Sequence, residues 1–478
     1  MSDKIPRYIT TTLPYVNSDP HIGFGAELLR ADVLARFWKL LGHEVFFNTG
    51  TDEHGQKIYE NAQKSGESTQ NYVDRYAIEF KRLIPALGIT PEINFIRTTD
   101  AHHVAAAQEI WRRCLAAGDI YKKEQTINYC VGCELEKTDS ELVDGRCPFH
   151  PNKDLEIRSE ENYFFRFSKY QEKLLDLYKN NPEYVVPDFR LKEISTFVAG
   201  GLHDFSVSRL KEKMPWGVPV PDDETQVMYV WFDALTNYIS ALGWPEDLEG
   251  NYEKFWEKGI TVQVAGKDNL RQQSAIWQAM LLSAGLPTTN QIIIGGFINS
   301  GGQKMSKSLG NVISPYELIA RYGTDATRYL LLRHVHPFDD SDITWEKLDE
   351  WYTAGLVNGL GNVVARVMKM SETHLELEDF PRLDPTTLDA PETFNLQAAC
   401  DHIWSLIAKV DAVIAETEPF KLIKTEPEQA KTIIANLRLD ILHIGRLLLP
   451  IMPDTSTTIR SAVRANKKPD NLFNRLDQ

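Results

Sequence analysis

Apolar residues recur along this chain with two different spacings. Through the first hundred residues, short β-branched and aromatic runs alternate with longer stretches whose apolar positions return every three or four residues. Tyr8 to Leu13 is a run of the first kind and predicts a buried strand. Asp19-Pro20 predicts an N-cap followed by proline at the first helical position. The helix then runs from His21 to Leu41, with Ile22, Leu28, Leu29, Val33, Phe37 and Leu41 on related faces and Gly42 as its stop. A second strand is expected over Glu44 to Asn48, then helices over Gln70 to Leu87 and Ala101 to Ala117, with a strand near Phe95. Strand and helix in alternation predict an α/β fold with a parallel, doubly wound sheet.

From about Ile120 to 225 the pattern breaks into short strand-like pieces and Pro/Gly/Asp turns, which points to an inserted domain. The alternation resumes at Val227 to Val230, with a helix through Leu242, a strand over Ile260 to Val264, a helix over Leu270 to Ser283 and a strand over Gln291 to Ile294. A glycine-rich hairpin, Gly295 to Gly302, opens a compact connector ending near Trp345. Beyond it, helical spacing dominates Trp345 to Met370, Pro391 to Ala415 and Pro427 to Leu449, which predicts an antiparallel helix bundle. The expected division is therefore 1–117 and 226–297 as two halves of one nucleotide-binding domain, 118–225 as the insert, 298–345 as the connector and 346–478 as the bundle. The basic end segment, Arg460, Arg464, Lys467 and Lys468, is expected either to touch nucleic-acid phosphates or to fray as a surface tail.

Composition narrows the classes. A chain of 478 residues suggests roughly three domains. With 42% hydrophobic and 25% charged residues it is a globular mix, not a disordered one. The net charge of −15 excludes a general basic coat for non-specific nucleic-acid binding, though not a local basic groove. No apolar run approaches the ~20 residues of a membrane helix, and the polar start Met1 to Arg7 is unlike a secretory signal. Three of the five cysteines crowd between 130 and 147, which reads as cytoplasmic metal chemistry more readily than as a disulfide framework. Cys130-Val131-Gly132-Cys133 followed by Cys147-Pro148-Phe149-His150 offers four ligands in two knuckle-like turns and suits a closed, structural, tetrahedral Zn2+. Two unrelated pairs, or a redox CxxC, is the alternative. Cys114 and Cys400 fall in predicted helices and read as core fillers.

Two segments carry candidate chemistry. Tyr15-Val16-Asn17-Ser18-Asp19-Pro20-His21-Ile22-Gly23 lies where a strand hands over to a helix, the usual ligand crevice of an open α/β sheet. There a helix N-terminus favours an anion, His21 can donate to phosphate, and Gly23 permits close approach. Lys304-Met305-Ser306-Lys307-Ser308 places two lysines on a loop after the glycine hairpin, suited to a polyphosphate whose charge changes during reaction. Alone, the first reads more simply as an ordinary turn with a surface histidine, and the second as a solvated basic loop.

Together, the His-Ile-Gly turn after the first strand and the Lys-Met-Ser-Lys-Ser loop after the last resemble the two signatures of class I aminoacyl-tRNA synthetases. Gly50-Thr51-Asp52-Glu53-His54-Gly55, Tyr229-Val230-Trp231-Phe232-Asp233-Ala234 and Gly266-Lys267-Asp268 extend the resemblance to the methionyl-tRNA synthetase family, over nearly the whole chain. The resemblance implies a Rossmann-like catalytic domain split by the insert, with 298–345 as stem-contact segment and 346–478 as anticodon-binding bundle. It implies a ligase that converts methionine and ATP, with Mg2+, to methionyl-adenylate and transfers the acyl group to initiator and elongator methionine tRNA. The family's one-zinc form has the same Cys130, Cys133, Cys147, His150 arrangement.

Residue by residue, the resemblance implies that Asp52 pairs with the substrate ammonium. Leu13, Tyr15, Trp231, Ala234, Tyr238, Gln273 and Trp277 surround the methionine side chain, whose polarisable sulfur favours aromatic contact. His21, Gly23, Gly266, Asp268, Gly295, Gly296 and Lys307 bind ATP, with His21, Lys304 and Lys307 catalytic. Asn362 and Arg366, one helical turn apart, with Phe420 as a stacking ring, read the anticodon. Three departures stand out: Phe24 where the signature ends in a polar residue, Gln273 where histidine is frequent, and Phe420 where tryptophan is usual. They motivate one rival, a non-catalytic RNA-binding paralogue. A second rival is another class I synthetase, such as one for cysteine. The end of the chain soon after the bundle is expected to leave a monomer, with any editing at the synthetic site.

Overall fold

The computed structural model describes residues 4–133, 135–137, 142–305, 311–377 and 394–476. They form two compact units: Met1–Asp19, Val45–Arg82 and Glu92–Ile294 make the first, and Pro20–Glu44, Leu83–Pro91 and Gly295–Gln478 the second.

The first unit is organised by a six-stranded sheet whose pairings on either side of Arg7–Thr10, and at both edges, are parallel. Its order is Asn94–Arg97, Val45–Thr51, Arg7–Thr10, Ile260–Gly266, Gln291–Gly295, Val185–Val186. Central strands such as Ile260–Gly266 and Gln291–Gly295 are buried along nearly their whole length, which is why they read as apolar runs without alternation. Arg7–Thr10 lies between Val45–Thr51 and Ile260–Gly266, with Arg7 level with Val45 and Ile260. The strand order reverses there, so the carboxyl ends of these three strands frame the ligand crevice expected of such a sheet.

The insert differs from expectation in two respects. It contributes Val185–Val186 as the sixth parallel strand, too short to leave a periodic signal, and it contains the helices Gln171–Asn180 and Asp188–Ala199 as well as strands. Its long strands Ile120–Cys130 and Glu156–Phe165 pair antiparallel. The run Val227 to Val230, expected to resume the parallel sheet, does not. Asp223–Met228 pairs antiparallel with Ser208–Leu210 and Pro219–Val220 in a separate three-stranded sheet. A tight turn through Asp222, at φ 62°, fixes that hairpin, and Tyr229 then caps the short helix Val230–Ala234. A shared core joins these layers: Trp111 meets Phe232 edge-on at 5.6 Å and Tyr163 at 5.2 Å. Cys114 and Cys400 are buried, as expected of core residues, and burial pushes each thiol up to about 12.

The second unit is mostly helical. Its first helix, Ile22–Leu40, is capped by His21, not by Asp19. Ser314 and Glu317 form a capping box for Pro315–Tyr322. Trp345–Tyr352, the wide-turned Thr353–Gly361 and Asn362–His374 follow without a break, then Leu396–Thr417 and Pro427–Leu447. Half of the basic end segment is not a frayed tail: Arg460 and Arg464 lie on the helix Pro453–Arg464, which buries Thr455, Ser456, Ile459, Ala462 and Val463, whereas Lys467 and Lys468 follow its end. That spacing is helical, but two of the five buried positions, Thr455 and Ser456, are polar and disguise it. No helix among the described residues is long and apolar enough to cross a membrane.

Candidate active site and metal centre

In the first unit, Asp52 follows the strand Val45–Thr51, and its backbone continues the sheet. Its N–H donates to Pro14 O at 3.0 Å, and its carbonyl accepts from Val16 N at 3.1 Å, which sets Asp52 beside Tyr15. Asp52 is 7% exposed. The residues after it are clamped. Glu53 is fully buried and takes Arg97 bidentately at 2.7 and 2.8 Å, with Thr51 and Thr99 hydroxyls donating at 2.6 and 2.5 Å. Trp216 Nε1 donates to Glu53 O at 2.6 Å and its carbonyl accepts from Gly55 N. His54 Nδ1 lies 2.6 Å from Asp233 Oδ2, and His103 Nε2 lies 2.8 Å from Asp233 Oδ1. Burial works to raise the Asp233 carboxyl, but the two imidazoles outweigh it and hold the group below its usual range.

Trp231 and Ala234, both partly buried, lie on the helix that carries Asp233. Tyr238, Gln273 and Trp277 come together: Gln273 Nε2 donates to Tyr238 Oη at 2.5 Å, and the Tyr238 and Trp277 rings are 5.9 Å apart. The expected helix over Leu270 to Ser283 is instead a wide turn, Gln272–Ile276, leading into Trp277–Ala284. Such turns are frequent at functional sites. Gln273 Oε1 and Trp277 Nε1 are buried polar atoms without a hydrogen-bond partner among the described residues, which leaves one acceptor and one donor for a guest. Leu13 is partly buried beyond the end of Arg7–Thr10. Gly266 closes its strand, and exposed Asp268 sits in the tight turn after it.

In the second unit, His21 Nδ1 accepts from Gly23 N at 3.1 Å and Phe24 N at 3.4 Å. A neutral ring in that role carries its proton on Nε2, so a donor faces away from the helix end. A Cβ on Gly23 would stand 2.9 Å from the His21 ring, so glycine here makes room for the cap. Phe24 is buried in the core of this unit. Gly295 ends its strand, and a Cβ on Gly296 would lie 2.2 Å from Asp339 O. Gly301 and Gly302, at φ 62° and 74°, turn the hairpin that pairs Asn299 with Lys304. Lys307, with Ser306 and Ser308, lies outside the described residues.

The metal centre closes on itself. Cys133 N and His150 N each bond back three residues, to Cys130 O and Cys147 O, forming two knuckles. Cys130 Sγ, Cys133 Sγ, Cys147 Sγ and a His150 nitrogen all lie within 4.8 Å of one another. His150 Nδ1 is 3.8, 3.2 and 3.9 Å from the three sulfurs in that order, and Cys133 Sγ is 3.4 Å from Cys147 Sγ. Bonds of about 2.3 Å to sulfur and 2.0–2.1 Å to nitrogen put tetrahedral zinc ligands about 3.5–3.8 Å apart, so the set fits Zn2+. The His150 ring would be 2.4 Å from a Cβ on Gly132, so that glycine is required.

The family profile described as tRNA synthetases class I (M) matches residues 7–155 and 149–368. This chain belongs to the class I methionyl-tRNA synthetase family. It is 39% identical to the methionine–tRNA ligase of Nostoc sp. over 94% of this chain and 88% of that one. It is 38% identical to that of Thermotoga maritima over 97% and 76%. Among solved structures, Mycobacterium tuberculosis methionyl-tRNA synthetase in complex with methionyl-adenylate superposes with a TM-score of 0.87 at 35% identity, over 95% of this chain and 93% of that one. The parallel α/β core, knuckle and helical C-terminal region are those the family resemblance implied.

In family context, the tRNA-facing candidates lie in the second unit. Asn362 is exposed and Arg366, one turn on, pairs with Asp411 at 2.5 Å. Phe420 is 45% exposed on Pro419–Leu422. Sequence reasoning missed Glu53, His54, Arg97, His103, Trp216 and Asp233. Glu53, His54 and Asp233 stood inside quoted motifs, and a charge within the apolar run Val230 to Leu235 was a usable signal. His103, on a helix face with no distinctive spacing, offered none.

Proposed function

We propose that the chain activates methionine with ATP and transfers it to the 3′ end of methionine tRNA, in the cytoplasm and as a monomer. In the first step a methionine carboxylate oxygen bonds to the α-phosphorus of ATP, and the bond from that phosphorus to the β-phosphate oxygen breaks, releasing pyrophosphate. In the second, a terminal-adenosine hydroxyl bonds to the carbonyl carbon and AMP leaves. ATP enters as its magnesium complex. No protein nucleophile is needed; positioning and charge stabilisation carry both steps.

Asp52 holds the substrate ammonium. Leu13, Tyr15, Trp231, Ala234, Tyr238, Gln273 and Trp277 enclose the thioether, Gln273 and Trp277 through the polar atoms left open. His21 presents Nε2–H to phosphate oxygens, and Lys304 and Lys307 neutralise departing pyrophosphate. Gly23, Gly266, Asp268, Gly295 and Gly296 line the nucleotide. Zinc would be held by Cys130, Cys133, Cys147 and His150 and would supply folding stability to the insert, 118–225. The bundle, 346–478, reads the CAU anticodon through Asn362, Arg366 and Phe420, and 298–345 contacts the stem. The observation that carries the reading is a nearly buried carboxylate, Asp52, pinned beside Tyr15 at the switch point of a synthetase sheet. Aminoacylation of methionine tRNA transcripts tests it. Charging that falls at least 100-fold when CAU is changed supports both halves of the reading, and charging indifferent to the anticodon contradicts the bundle assignment.

A further inference from the structure

We propose that His54, Asp233 and His103 are positioning residues for amino-acid binding, a buried hydrogen-bonded chain that fixes the loop carrying Asp52 to the helix carrying Trp231 and Ala234. The inference rests on the reading that those residues receive methionine, and it adds three side chains that touch no substrate.

The geometry assigns each proton. The Asp233 carboxylate is fully buried, and an ionised carboxylate only accepts. Each oxygen faces one imidazole, so His54 presents Nδ1–H at 2.6 Å and His103 presents Nε2–H at 2.8 Å. The remaining nitrogen of His103, Nδ1, then accepts from the Ser240 hydroxyl at 2.8 Å. Ser240 Oγ is 3.4 Å from Asn237 O, its weaker alternative. His103 is fully buried as well, and His54 is 6% exposed.

Two features separate this chain from ordinary core packing. A buried carboxylate held by two imidazoles is costly where apolar side chains would fill the volume, so its presence asks for a role beyond filling. And its ends fall beside the proposed ligand contacts: His54 is two residues from Asp52, and Asp233 is two from Trp231 and next to Ala234. The loop and the helix are 179 residues apart in sequence between His54 and Asp233. Clamping by Glu53 and Arg97 holds the loop to the strand Asn94–Arg97, whereas the His54–Asp233 bond ties it to the helix. Displacement of about 1 Å between binding groups costs on the order of 100-fold in reaction rate.

The test uses the full-length enzyme and ATP–pyrophosphate exchange, with KM measured separately for methionine and for ATP. The amide nitrogen of asparagine falls near the Nδ1 position of histidine, whereas that of glutamine falls near Nε2. His54→Asn therefore keeps the donor to Asp233, and His54→Gln, equally polar and close in size, misplaces it. We expect His54→Ala and His54→Gln to raise KM for methionine at least tenfold, with KM for ATP within twofold of wild type, and His54→Asn to stay within threefold on both. A methionine KM unchanged in His54→Gln, or equal changes in His54→Asn and His54→Gln, or a parallel rise in both KM values, overturns the inference while leaving the functional reading intact. Wild-type enzyme without methionine-dependent exchange overturns the functional reading, and this inference with it.

Discussion

Arg328 makes the most demanding polar contacts in the second unit. It is fully buried, and its guanidinium donates to Asp32 Oδ2 at 2.7 Å, Ile451 O at 2.7 Å, Pro450 O at 2.8 Å and Leu87 O at 3.0 Å. Asp32, also fully buried, accepts from Thr90 N at 2.8 Å and from Arg36 Nε at 2.8 Å. Replacing Arg328 with methionine keeps most of the volume and removes the charge and every donor. Breaking a buried ion pair from one side costs about 3–5 kcal/mol. Here Arg36 and Thr90 still serve Asp32, so the low end applies, and the stranded carbonyls prevent a smaller value. We expect a loss of about 3 kcal/mol, roughly a 150-fold shift in the folding equilibrium. The assay is urea unfolding followed by circular dichroism, with limited proteolysis to report the second unit separately, since a two-unit chain need not unfold in one step. Adding Asp32→Asn removes a buried carboxylate that has lost one of its two guanidinium partners and restores about 1–2 kcal/mol, a coupling that a double-mutant cycle reads directly. An Arg328→Met protein within 0.5 kcal/mol of wild type refutes the reasoning, as does a double variant whose losses simply add.

Asp52→Asn should lower kcat/KM for methionine at least 100-fold, about 3 kcal/mol, with KM for ATP unchanged in pyrophosphate exchange. His150→Ala should reduce zinc from one ion per chain to none by elemental analysis, and a wild-type protein purified without zinc would sink the four-ligand assignment. His334 sits face to face with Trp351 at 4.4 Å, and burial, followed by the like charge of Arg333, lowers its pKa from 6.5 to about 4. The folded state then binds fewer protons than the unfolded state between those values. Stability should therefore fall as pH drops from 6.5 towards 4, and that loss should be smaller in His334→Gln by thermal melts at stepped pH.

Long periodic elements were the most legible part of the fold. Pro427–Leu447 buries residues at spacings visible in the sequence, Ile22–Leu40 is apolar enough to be buried on nearly every face, and the strands of the parallel sheet stand out as apolar runs. What escaped depends on partners distant in the chain. Val185–Val186 has only two residues and exists because Gln291–Gly295 offers it an edge. Val227 to Val230 is as apolar as a parallel strand, and only its hairpin turn decides otherwise. The cap of the first helix was misplaced because Asp19-Pro20 follows the usual rule, whereas a histidine ring folding back on Gly23 does not. In the candidate site, the zinc set was legible because its spacing is local. The Asp233 network was not, because His54, His103 and Asp233 meet only in three dimensions.

The central claim is that this chain selects methionine for activation by ATP. ATP–pyrophosphate exchange, measured with each of the twenty amino acids in turn, tests it most directly. The account predicts exchange with methionine and none above background with the rest, cysteine included. Exchange with a different amino acid, or with none, contradicts it.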